Sequence, residues 1–211
     1  MLKKENFIPP KENITSFYLL IFFPIFLILG NLFINFFYVA FAVLAILDLK
    51  KSKKFYKSYI FYLLIIFLIF LLINLFFSIN LSNSFPRFIK FILIFFFIKE
   101  FQNLIQNKGL SFEKILSFWT LVFFVVSFDI IFEFIVGFNI FGFYTLMPGR
   151  IASFFGDELV VGGFYHFMSL LILAFFVNQK FSNPIILLLS VLIILISFTI
   201  GERANFIKLF L

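Results

Sequence analysis

Cysteine is absent from the 211 residues and histidine occurs once. The first absence removes disulfides and thiolate metal sites, and the second leaves an imidazole that cannot build a metal centre alone. Charge is scarce too, at 13% of residues, against about 25% in an average soluble domain. Nothing in the chain matches a phosphate-binding P-loop, a dinucleotide fingerprint, a zinc signature or a nucleophile elbow. No cofactor and no metal are therefore expected. A cleavable leader is not expected either. The apolar run that begins near Ser16 far exceeds the ~7–15-residue core of a signal peptide, and no small-residue cleavage site follows it. Internal repeats and a soluble domain are likewise missing.

What fills the chain is apolar: 64% of residues are hydrophobic and 42 are phenylalanine. A water-soluble fold of this size could not hide that much apolar surface. Several apolar runs approach or exceed the ~17–25 residues that cross a bilayer. The expected fold is all-α, a polytopic transmembrane helical bundle forming one integral membrane domain over 1–211. The formal charge of +7 then reads as topology rather than as nucleic-acid binding, because lysines collect on the cytoplasmic side.

Residues 16–48 form one apolar run, as a single helix about 50 Å long, well beyond a ~30 Å hydrocarbon core. Gly30-Asn31 offers a turn in its middle, so two short spans are expected, near 16–30 and 33–48, with one long tilted helix as the alternative. The lysine cluster Lys50, Lys51, Lys53, Lys54 and Lys57 fixes the cytoplasmic side, and the N-terminus falls there too. Further spans are expected over 58–78, 87–103, 115–136, 159–177 and 184–200. That makes seven complete spans and a truncated eighth.

This count separates the basic residues. Every one in the cytoplasmic segments is a lysine, whereas the arginines, Arg87, Arg150 and Arg203, all fall outside. The positive-inside rule explains the former and not the latter. Arg150 lies in "GRIASFFGDELVVGG" (149–163), a glycine-punctuated island that also holds Asp157 and Glu158. A guanidinium presents a rigid fork of donors matched to carboxylate or phosphate and cannot lose its proton. A charge inside the membrane costs about 2.5–3.5 kcal/mol on insertion scales, so it is normally partnered. Arg150 and Arg203 flank the same helical hairpin and could clamp a diphosphate. The plainer possibility pairs Arg150 with Asp157 or Glu158, and Arg203 with Glu202.

Asp129 and Glu133 stand at i, i+4 in the fifth span and share a helical face. They suit proton handling, cation binding or partnership with the arginines. Structural ion pairs with Arg87 or Lys90 are the alternative. His166, in the sixth span, is expected to serve as an interhelical hydrogen-bonding group.

The succession "FDIIFEFIVGFNIFGF", "GRIASFFGDELVVGGF" and "ISFTIGERANFIKLFL" resembles the bacterial O-antigen ligase and O-antigen polymerase family. There, an Asp-bearing helix leads to G-x-N-x-x-G, then to R-x-x-G-F-F-G-D-E-L-x-x-G, and a helix later to G-E-R. Asp129, Gly137, Asn139 and Gly142 match the first segment, Arg150, Gly156, Asp157 and Glu158 the second, and Gly201, Glu202 and Arg203 the third. Ser153 stands where the second motif commonly has glycine.

The resemblance implies a glycosyltransferase of the bacterial inner membrane, acting at its outer face without a metal. Its donor would be an undecaprenyl-diphosphate-linked glycan, and its acceptor another lipid-linked glycan or a lipid A core. Polymerase and ligase both remain open. Arg150 and Arg203 would stabilise the departing diphosphate, with Asp157 or Glu158 as base or as positioner of an arginine. Arg87, Asp129, Glu133 and Glu202 are further substrate-binding candidates. The likeness covers about residues 14–211, roughly the N-terminal half of a typical member, so the chain reads as a fragment that could be inactive alone. The rival readings are a transporter segment with Asp129 and Glu133 on an ion path, and a membrane subunit whose helices only pack against a partner.

Overall fold

The computed structural model describes residues 14–47, 56–106, 112–145, 147, 149–156, 160–201 and 207, with only the backbone at 105 and 106. Its described elements are helical: α1 (Ile14–Ile21), α2 (Phe23–Ile28), α3 (Asn31–Leu47), α4 (Tyr59–Phe76), α5 (Leu81–Gln106), α6 (Phe112–Val136), a 3₁₀ turn (Ser153–Phe155), α7 (Val161–Asn178) and α8 (Asn183–Thr199). Four of these, α4, α5 over Leu81–Leu104, α6 and α7, are long and apolar enough to cross a bilayer. That length, with the composition, makes this a membrane protein.

Among the described residues, four of the seven expected spans are helices of full length, and two more are shorter apolar helices, α3 and α8, of 17 residues each. At 1.5 Å per residue 17 residues reach about 25 Å, at the lower end of what crosses a bilayer. The first span is also divided. Pro24 sits in the first turn of α2, after Phe22. Its missing N–H and its ring oppose a helix continuing through that point, so α1 stops at Ile21. A second break falls where a turn is expected, at Gly30, whose φ of +93° few other residues adopt.

The chain divides into two compact units, one of residues 1–20 and 31–111, the other of 21–30 and 112–211. In the first unit α3 and α4 both pack on α5. Phe37, Phe41 and Phe97 form a ring cluster there, with Phe37 and Phe41 buried. Ser58 caps α4, its hydroxyl accepting from the Phe61 N–H at 3.3 Å. No residue of α4 is buried by the rest of the chain, as suits a helix whose surface is solvated by lipid.

Lys99 and Glu100, a charged pair near the end of the span expected over 87–103, are fully buried on α5. The Lys99 ammonium donates to the carbonyl of Ala45, in the last turn of α3 where carbonyls lack helical partners. Glu100 accepts from the Ser16 hydroxyl of α1 at 3.0 Å and from the Asn103 amide at 3.3 Å. The two ends of the 16–47 run thus meet adjacent residues of one helix, which makes the run a hairpin rather than one long helix.

Truncating Lys99 or Glu100 leaves buried polar groups unmatched, at about 1–3 kcal/mol each. Lys99→Ala and Glu100→Ala should therefore lower the denaturation midpoint in detergent micelles clearly. Phe70→Ala, on the exposed face of α4, should barely move it. Equal effects in the three variants would remove the hairpin's polar fastening.

Candidate functional site

The second unit is built on α6. Ile115, Trp119, Val122, Val126 and Ile130 face inward at helical spacing, with the Trp119 indole N–H donating to the Ile21 carbonyl at 3.1 Å. The same buried stripe ends in Asp129, 0% exposed, and Glu133, 5% exposed. Being four residues apart, they lie one above the other on a single face. Gly137, at φ +88°, then ends the helix with its N–H on the Glu133 carbonyl at 2.8 Å.

The chain that follows folds back onto the two carboxylates. Asp129 accepts from the Ile140 N–H at 2.8 Å and from the Ser153 hydroxyl at 2.6 Å. Glu133 accepts from the Thr145 hydroxyl at 2.7 Å, the Ser153 N–H at 2.6 Å and the Ala152 N–H at 3.3 Å. Ser153 is therefore held twice, by its backbone and by its side chain. Asn139, 2% exposed, braces the same loop through its amide on the Ser153 carbonyl at 2.8 Å. Neither carboxylate is in an ion pair among the described residues, so neighbouring donors take the place expected for Arg87 or Lys90.

Arg150 follows directly from this anchorage, three residues before Ser153. Its side chain is exposed and, among the described residues, makes no hydrogen bond or ion pair. It lines a cavity of about 250 Å³ whose wall also includes Glu133, Gly137, Thr145, Gly149 and Thr199.

The third motif segment reaches the same place. The Ile151 N–H donates to the Ile200 carbonyl at 3.3 Å. Gly201, at φ +79°, sits so close to Gly149 that a Cβ there would overlap the Gly149 carbonyl oxygen. Only glycine allows this approach.

Of the residues singled out from sequence, the structure thus gathers Asp129, Glu133 and Arg150 with the segment ending at Gly201. Arg87 lies in the other unit, exposed near the start of α5. Asp157, Glu158, Glu202 and Arg203 lie outside the described residues. The Nδ1 of His166 is buried without a hydrogen-bond partner among the described residues. Thr145 and Ser153 have site roles that sequence reasoning missed. Ser153 did carry a signal, as a residue standing in for glycine. Its φ of +51° is a left-handed conformation that costs a side chain roughly 1–2 kcal/mol.

Four substitutions test this framework. Gly201→Ala should lower stability by about 2 kcal/mol or more through overlap and strain. Gly163→Ala, with nothing within 4 Å of the added carbon, should be neutral or slightly stabilising by detergent denaturation. At position 153, Ser153→Ala loses the Asp129 bond and keeps the strained backbone, whereas Ser153→Gly loses only the bond. The glycine variant should therefore be the more stable of the two by about 1 kcal/mol. The reverse order would mean that the turn is not left-handed.

No family model, curated protein or solved structure matches this chain, so a functional reading rests on its own residues and their geometry.

Proposed function

We propose that this chain carries the diphosphate-binding part of a membrane glycosyltransferase of the O-antigen polymerase or ligase type. It would span the bacterial inner membrane and act at its outer face, with the seven crossings and truncated eighth that the sequence suggests. The donor would be a glycan on undecaprenyl diphosphate, and the acceptor a second lipid-linked glycan or a lipid A core. The observation that carries the reading is the convergence at the cavity. Arg150 is on its wall, and the segment leading to Glu202 and Arg203 is fixed against Gly149 by the Ile151–Ile200 bond and by the Gly201 approach.

In this reading Arg150 supplies a two-pronged donor to the diphosphate, and Arg203 a second. Charge that develops on the leaving diphosphate would meet these cations, which lowers the barrier to glycosyl transfer. Asp157 or Glu158 would take the acceptor proton or position an arginine. Glu133 and Asp129 serve differently, by holding Ala152 and Ser153, close to Arg150 in the chain. A transporter draws less support, since donors of the folded chain already engage both of these carboxylates.

Binding of a polyprenyl diphosphate to the detergent-solubilised chain tests the proposal. Arg150→Lys keeps the charge and loses the planar fork, so affinity should fall roughly tenfold to a hundredfold, as for loss of one charge-assisted hydrogen bond. Polyprenol without the diphosphate should not compete. Equal affinity of wild type and variant, or equal binding of the alcohol, would refute the clamp.

A further inference from the structure

The loop that leaves α6 is unusual in what it shows to its surroundings. Phe138, Ile140, Phe141, Phe143 and Tyr144 are all exposed, Phe141, Phe143 and Tyr144 by about two-thirds. In water such a cluster of apolar side chains on irregular backbone would be costly. The backbone beneath them, however, is closed off. The Asn139 N–H donates to the Phe143 carbonyl and the Gly142 N–H to the Asn139 carbonyl, both at 2.8 Å. The Ile140 N–H goes to Asp129, and the Phe141 and Phe143 N–H groups go to the Asn139 side-chain oxygen at 3.0 and 2.9 Å. Every amide from 139 to 143 therefore has its acceptor inside the protein. Non-helical backbone needs this wherever water is not available to bond it.

The exposed face is also continuous with a lipid-facing one. On the last turns of α6, Phe134 is 62% and Ile135 74% exposed, and both belong to a candidate span. The loop begins immediately after it. The turn between α7 and α8 also exposes Phe181, but among Asn178, Lys180 and Ser182, and so is mostly polar where the 138–144 loop is mostly apolar.

We propose that residues 138–144 form a membrane-embedded loop, seated at the boundary between headgroups and acyl chains, with lipid as its partner. Aromatic side chains favour that boundary, and Tyr144 keeps a polar end for the headgroup side. Asn139 and Asp129 make the embedding possible by satisfying the amides. The Arg150 cavity then opens at the depth of lipid phosphates, and a lipid-anchored ligand reaches it sideways from the bilayer. The inference stands independently of which anion the cavity takes.

The chain has no cysteine, so single spin labels can be placed without background. Phe141→Cys, Phe143→Cys and Tyr144→Cys are compared with Asn178→Cys in the polar turn and with Phe70→Cys on the exposed face of α4. Each labelled full chain is reconstituted in phosphatidylcholine–phosphatidylglycerol vesicles. Collisions are then measured with oxygen, which concentrates in lipid, and with a water-soluble nickel chelate. The oxygen-to-nickel ratio at 141, 143 and 144 should exceed that at 178 several-fold and approach that at 70. A ratio at 141–144 equal to that at 178 would place the loop in water and overturn the proposal. Protection from both reagents with spin–spin broadening would also overturn it, by assigning the face to a second copy of the chain.

Discussion

Two carboxylates buried in consecutive turns of one helix need donors, and here a single loop supplies them. Asp129 and Glu133 would each be costly to bury alone. Their oxygens instead receive three backbone N–H groups and two hydroxyls from residues 140–153. The obligation runs both ways. Amides of an irregular loop near a bilayer also need acceptors, and a carboxylate with several lone pairs serves more than one of them. The loop and the end of α6 therefore specify each other, and a shift of either would orphan groups in both. Ser153 shows the strength of this constraint, since its backbone is held left-handed although it carries a side chain.

The first unit follows the same rule with different chemistry. Lys99 meets a carbonyl at the open end of α3, and Glu100 takes a hydroxyl from the beginning of α1. Lipid gives helices no hydrophobic reason to associate, so polar matches and close packing decide how they associate. Buried charge in this chain thus marks points of attachment in both units. In the second unit the attachment also shapes a cavity, because the loop it fixes carries Arg150.

Much of this was legible in the residues, but at different levels. The all-helical class and its membrane character follow from apolar runs of sufficient length. Gly30 marks a real break, and Pro24 marked another that a count of apolar residues passed over. The i, i+4 placement of Asp129 and Glu133 correctly put them on one face. What no spacing could give was their partners, because backbone amides have no letter in a sequence and the loop's path decides which of them arrive. Lys99 and Glu100 were hidden for a related reason. Their "KE" falls near the end of the expected 87–103 span with no partner visible in the spacing, and only the ends of α1 and α3 meeting α5 make them interior. Where a span begins and ends was less legible, because helix ends depend on local breaks as well as on hydropathy. Asp157, Glu158, Glu202 and Arg203 stay at the level of sequence.

The distribution of engaged and open charge separates the readings of the cavity. A proton or cation path needs carboxylates with coordination to spare, and Glu133 already accepts three bonds although it lines the wall. Arg150 is in the opposite condition, with its backbone anchored beside Ser153 and its guanidinium directed to no described group. Opposite unit charges 4 Å apart attract by about 4 kcal/mol at an effective dielectric near 20, against about 1 kcal/mol in bulk water. Arg150 is exposed at a cavity whose wall mixes Glu133, Thr145 and Thr199 with apolar groups, so its gain from an arriving anion lies between those two limits. A planar fork also loses less freedom per hydrogen bond formed than a flexible ammonium does. The carboxylates hold the frame, and the arginine keeps donors that no described group engages. Within this chain that division favours recognition of an anionic group over passage of a cation.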